Sequence, residues 1–213
     1  MTERSTCYDV EMTSPARALR ADAARNRESL LAAAEEVFAE RGAEASIADI
    51  AQRAGVAKGT VFRHFSSKED LMASLVCEHM VTLTDAAARL GEAHDPGAAL
   101  LEFLTIAADQ RRQHDLTYLQ TSSANDARVV AIRDDVLAGV ENLVAKARAA
   151  GAIRPDVTGT DVFLLMCAPV HVAEGLPDAP PDLWRRYLAI IFDGLRPEGA
   201  SALPEPEPEI PGR

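Results

Sequence analysis

Apolar residues recur at helical spacing through most of the chain. Within residues 17–41, Leu30, Ala34, Val37 and Phe38 share one face, Arg41 closes the stripe, and Gly42 follows, a residue suited to ending a helix. A first helix over about 20–41 is expected. Ser46 then stands three residues before Asp49, an N-cap with an acid in the first turn. Ile47, Ile50, Ala51 and Ala54 fall on one face before Gly55 stops it. A short second helix follows from that pattern. A third is expected over about 57–63. Ser66 with Glu69 reads as a capping box opening a fourth, which carries Leu71, Leu75 and Val76 toward about residue 90.

Beyond residue 95 the period stays helical, over about 96–112, 115–123, 127–150, 159–175 and 180–196. Asp-Pro-Gly, Asn-Asp, Gly-Ala and Pro-rich breaks separate these segments. No period-two strand pattern persists. The expected class is all-α, with an N-terminal three-helix head over 17–66 and a helical bundle over 67–196. Residues 1–16 have no periodicity and read as a disordered arm. The ending PEGASALPEPEPEIPGR, 197–213, is a Pro/Glu tail that reads as solvated and disordered, a docking peptide being the alternative.

Charge changes the picture only when it is divided. The 213-residue chain carries a formal net charge of -11, but residues 1–70 account for -2 of it and residues 71–213 for -9. Within 17–68 the balance is +2, which leaves room for a basic face. No apolar run reaches membrane-spanning length, and MTERSTCYDVEM lacks the apolar core of a signal peptide, so a cytoplasmic location without membrane contact is expected. Cys7, Cys77 and Cys167 form no pair at metal-ligand spacing, which argues against a zinc site or a disulfide framework. HExxH, Glu-x-x-His, GxSxG and phosphate-cradling glycine loops are all missing from the sequence. Neither catalysis nor a cofactor is expected, and a helical-bundle enzyme is a remote alternative.

The stretch AGVAKGTVFRHFSSKEDL, 54–71, gathers Lys58, Arg63, His64 and Lys68 around two glycines. Two short helices joined by a glycine-containing turn, the second basic and rich in small residues, make a helix-turn-helix arrangement whose second helix enters the DNA major groove. Gly55 sits where a left-handed backbone turns the corner. Gly59, inside a helix, costs about 1 kcal/mol relative to alanine, which close approach of another molecule would offset. Thr60 can present a methyl to thymine or a hydroxyl to a base edge, and Lys58 can donate to guanine or to phosphate. Arg63, His64 and Lys68 are placed to meet backbone phosphates. Val56, Val61 and Phe65 are assigned to the core of the head. Arg17, Arg20, Arg25 and Arg27 either reach phosphate or minor groove or serve solubility alone.

Residues 46–71, SIADIAQRAGVAKGTVFRHFSSKEDL, resemble the helix-turn-helix signature of the TetR family of transcriptional regulators. Ile50-Ala51, Ala54-Gly55-Val56, Gly59-Thr60, His64-Phe65, Lys68 and Leu71 stand at the family's spacing. The ending DLWRRYLAIIFDGL resembles the last helix of a subfamily with SbtR-like C-terminal domains. The resemblance implies DNA contact by Lys58, Gly59, Thr60, Phe62, Arg63, His64 and Lys68. Two positions depart from it: Ala57 where serine is usual, and Phe62 where a tyrosine hydroxyl meets a phosphate.

The resemblance also implies a homodimer on a near-palindromic double-stranded operator and a small-molecule effector that releases a repressor. Apolar residues nearly all round 162–173 and in the last helix make Phe163, Met166, Val170, Trp184, Tyr187, Leu188 and Ile191 candidates for the interface between copies. His171 in that segment is read as a core or interface histidine. The implied pocket would be lined by His79, Leu83, Phe103, Leu104, Tyr118, Gln120 and Cys167. A regulator without an inducer is the alternative, and it predicts a solidly packed body where a sensor predicts a cavity of several hundred Å³.

Overall fold

The computed structural model describes residues 15–114, 117–176 and 178–207, with the side chains of 15–21, 117 and 118 outside that description. The chain divides into two compact units, Met1–Ser66 and Ser67–Arg213. The described residues are helical and contain no strand.

In the first unit α1 spans Pro15–Arg41, a single helical turn covers Gly42–Glu44, and α2 (Ile47–Arg53) and α3 (Lys58–His64) follow. Helix α1 begins earlier than about 20, with Pro15 at its first position, where a missing N–H costs nothing. Residues 15 and 16 thus leave the expected arm, whose other residues fall outside the description. Leu30, Ala34, Val37 and Phe38 are buried, as the stripe required. Ser46 caps α2: its hydroxyl accepts from the Asp49 N–H, while Asp49 accepts from the Ser46 N–H at 3.0 Å. The turn into α3 is a Schellman closure, with Gly55 at φ +68, its N–H on the Gln52 carbonyl and the Val56 N–H on the Ala51 carbonyl. Val61 and Phe65 are buried between the helices, but Val56, expected in the core, is 36% exposed. The closure that turns the chain carries Val56 outward.

The second unit holds α4 (Lys68–Leu90), α5 (Pro96–Gln113), α6 (Thr117–Ser122), α7 (Ala127–Ala149), α8 (Gly159–Leu165), α9 (Ala168–Glu174) and α10 (Leu183–Gly194). The cap of α4 is Ser67, whose hydroxyl accepts from the Asp70 N–H at 3.1 Å, not Ser66. Ser66–Glu69 and Ser67–Asp70 share the same spacing, so local pattern alone does not choose between them. Asp95, Asp126 and Thr158 cap α5, α7 and α8 through their side chains. The single helix expected over 159–175 is two helices, because Pro169 lacks the N–H needed to continue past the break at Met166–Cys167.

Helices α4, α5, α7, α8, α9 and α10 share one core that includes Leu100, Phe103, Leu104, Val140, Val144 and Trp184. Gly139 lets α7 approach α4 closely, since a Cβ there would stand 2.7 Å from the Ala87 Cβ. The tail expected to be free from 197 is exposed and without regular structure through 207, yet its start is held: the Arg154 guanidinium donates to the Ser201 carbonyl and is paired with Asp156. Residues 208–213 lie outside the description. No described helix is long and apolar enough to cross a membrane.

Candidate nucleic-acid interface and body pocket

Helix α3 presents its chemistry outward. Lys58, Gly59, Phe62 and Arg63 are exposed, Phe62 to 52%, while Thr60 and His64 are half-buried. Buried Val61 and Phe65 anchor the opposite face, so the register of the exposed residues is set by core packing. Arg63 donates to the Thr60 hydroxyl at 3.0 Å, which leaves the Thr60 O–H free to donate. Gly59 is required neither by its φ nor by neighbours, because an added Cβ would meet nothing within 4 Å. Ala57, at the N-cap of α3, offers no side-chain acceptor. Lys68 is the first residue of α4 and belongs to the second unit.

The acids of the first unit are largely spent on its own arginines. Arg41 pairs with Asp49 at 2.7 Å, and Arg53 forks to Glu36 at 2.8 Å and Glu40 at 2.7 Å. The Arg53 bond holds Glu40 below the usual carboxylate range, and the Ser46 hydrogen bond does the same for Asp49. An open polar groove of about 330 Å³ beside Val37 and Gln52 is walled by these paired charges. Arg25 pairs with Asp22, and Arg27 lies 5.3 Å over the Phe65 ring, so both have partners within the unit. The side chains of Arg17 and Arg20 lie outside the description.

In the second unit a pocket opens between α4, α5, α7 and the α8–α9 break. It holds about 50 Å³ of room for water-sized atoms, and about 490 Å³ when its open mouth is counted. Of the residues named from the resemblance, His79, Leu83, Gln120 and Cys167 line it, while Phe103 and Leu104 are buried in the core and do not. The side chain of Tyr118 falls outside the description. Met80, Gln110, Arg111, His114 and Val136 also line it, positions that only the packing of distant helices reveals. Gln110 bridges α5 to α4, its Nε2 donating to the His79 carbonyl at 2.8 Å, and the His79 and His114 rings stand 4.5 Å apart. Burial pushes the Cys167 thiol above its ordinary pKa.

The expected interface residues divide. Met166, Val170, Trp184 and Leu188 are buried within the chain's own core, so they are not surface for a second copy. Phe163 and Met166 line the pocket. Tyr187 and Ile191 are half-buried. Along α8 to α10 the exposed large apolar side chains are Leu164, Val172, Leu176 and Ile190, and His171 is exposed rather than core. An almost uniformly apolar stretch does not mark its outer face, so the sequence could not make this division.

Residues 30–75 match the family of bacterial regulatory proteins of the TetR type, and residues 95–197 match the SbtR-like transcriptional regulator C-terminal domain. The chain is 32% identical to a TetR transcription regulatory protein of Mycobacterium vanbaalenii, with 84% of this chain and 99% of that one covered and a TM-score of 0.60. The TetR regulator SCO0520 of Streptomyces coelicolor is 30% identical, with 80% and 98% covered and a TM-score of 0.57. The chain belongs to the TetR family. Among curated relatives, the repressor BepR of Brucella suis is 43% identical over 61 residues, 28% of this chain and 29% of that protein. The match to such relatives is thus confined to about a third of their length. The fold is shared with FadR of Bacillus subtilis, solved in complex with stearoyl-CoA, at 20% identity over 79% of this chain and 99% of that one, TM-score 0.62.

Proposed function

We propose that this TetR-family regulator is a repressor that binds a near-palindromic operator as a homodimer and is released by a small molecule held in the second unit. Lys58, Gly59 and Thr60 lead α3 into the major groove, while Phe62, Arg63, His64 and Lys68 meet the backbone. The observation that carries the reading is the surface of α3. Its cations face outward, the nearby acids are paired with Arg41 and Arg53, and Gly59 leaves an open approach that nothing within the chain fills. The exposed Leu164, Val172, Leu176 and Ile190, with half-buried Tyr187 and Ile191, supply the apolar surface for a second copy.

Release follows by linkage. A ligand that binds one conformation of the second unit more tightly than the other lowers operator affinity by its differential affinity. The room of about 50 Å³ is far below a preformed drug-sized site, so the ligand must open the pocket as it enters. The same small volume favours, as a second reading, a regulator that needs no inducer. DNA binding is tested with the full chain on its own upstream region across a salt series. Lys58→Ala should lower selective affinity by about tenfold or more and reduce the salt slope by about 1, with Thr60→Ala weakening selectivity. Binding that ignores sequence, or that neither substitution changes, would remove the recognition-helix reading.

A further inference from the structure

Gln110, on the wall of the second unit's pocket, carries a polar demand that the chain leaves unmet. The Nε2 of Gln110 donates to the His79 carbonyl, and that bond fixes which end of the amide is nitrogen. Its Oε1 is buried and accepts from no donor. A buried carbonyl oxygen in this state favours any ligand that brings it an O–H or N–H. The neighbouring Arg111 guanidinium, 13% exposed and paired at 3.5 Å with Glu174, brings cationic N–H donors to the wall. Much of the remaining wall is apolar, with Met80, Leu83, Val136, Phe163 and Met166.

These constraints select a chemistry. An ammonium would donate to Oε1 but stand against Arg111, and a carboxylate would suit Arg111 but has nothing to donate. A hydrocarbon leaves Oε1 unpaired. A carboxamide must strip more polar surface of water than an apolar wall returns. We propose that the effector is a small, largely apolar molecule carrying a hydroxyl, whose O–H donates to Gln110 Oε1 while its lone pairs face Arg111. The inference rests on the reading of this pocket as the effector site. Because the room is about 50 Å³, entry requires Met80 and Met166 to turn aside, which unbranched thioethers do readily.

The test uses two pairs of isomers that differ in whether they can donate: p-cresol against anisole, and 1-hexanol against dipropyl ether. Each is titrated calorimetrically into the full-length protein. At least one alcohol should bind about tenfold or more tighter than its ether isomer, and the pair that shows it tells an aromatic from an aliphatic body. Gln110→Leu should bring that ratio to about one. The wild-type comparison needs no variant, so a Gln110→Leu chain that fails to fold does not shield the idea. Ethers binding as tightly as their alcohols, no binding by either alcohol, or a folded Gln110→Leu that keeps the ratio would overturn it. The same titrations on the protein–operator complex separate the two readings. Alcohol binding that leaves DNA affinity unchanged would sink ligand release while the hydroxyl site stands, and selective DNA binding without alcohol binding would sink the hydroxyl site while the operator reading stands.

Discussion

The two units solve the same problem of polar satisfaction by different means. In Met1–Ser66, caps, turn and ion pairs are short-range or join adjacent helices: Ser46 with Asp49, the Gly55 closure, and Arg53 with Glu36 and Glu40. In Ser67–Arg213, many contacts join residues far apart in sequence, such as Gln110 with His79 or Arg154 with Ser201, and the buried Gln110 Oε1 and Trp184 Nε1 accept or donate nothing. A unit meant to present a fixed surface benefits from local closure. In the second unit, Gln110 Oε1 stands beside the flexible, apolar Met80 and Met166, which leaves that wall chemically open.

The contrast breaks most sharply in the second core. Phe103 is fully buried, and Phe103→Ala should cost about 3–5 kcal/mol in chemical denaturation. A loss below about 1 kcal/mol would mean that this core is loosely packed. Next in size, Gly139→Ala places a methyl 2.7 Å from the Ala87 Cβ, a contact of two backbone-anchored carbons that cannot swing away. It should destabilise by about 1–3 kcal/mol, whereas the same change at Gly59, with nothing within 4 Å, should leave the fold intact or slightly firmer. Thermal unfolding of the two variants side by side checks the pair.

Smaller effects sharpen the comparison at helix starts. Asp126 caps α7, and its bonds to Arg128 hold its carboxyl down to about 2, below the ordinary 3.8. A carboxylate depressed on folding adds stability that is present above its unfolded pKa and lost as pH falls through the folded one. Wild type should therefore lose this contribution between about pH 4 and pH 2. Asp126→Ala should cost about 1 kcal/mol at neutral pH and flatten the acid limb over that window. An unaltered acid limb would argue that the pairing is absent in solution. Smallest of all, Ala57→Ser supplies the missing cap of α3 and should stabilise the first unit by up to about 1 kcal/mol, measurable as a small rise in Tm.

How much of this was legible differs by unit for the same reason. The stripe of α1, the cap at Ser46, the turn at Gly55 and the burial of Val61 and Phe65 are written in spacings of three to eight residues. Val56 was misplaced, because whether the residue after a left-handed glycine points in or out depends on the path of the next helix. The start of α1 and the cap assigned to Ser66 were shifted, because adjacent residues offer the same local pattern. In the second unit the helices were legible, but their faces were not. Trp184 and Leu188 read as surface for a partner and are core, while Phe103 and Leu104 read as pocket and are core residues that do not line it.

By itself, the sequence determined an all-helical chain, the helix-turn-helix and its exposed cations, and the family to which they belong. Periodicity, caps and turn glycines act within a few residues, and one chain is enough to read them. Only the tertiary structure decided that Gln110 and Arg111 face a pocket with His79 and that the apolar helix over 159–175 breaks before Pro169. It also left Leu164, Val172, Leu176 and Ile190 on the outside. Those outcomes depend on how helices distant in sequence rotate against one another, and that rotation is set by the packing of the whole core rather than by any local pattern.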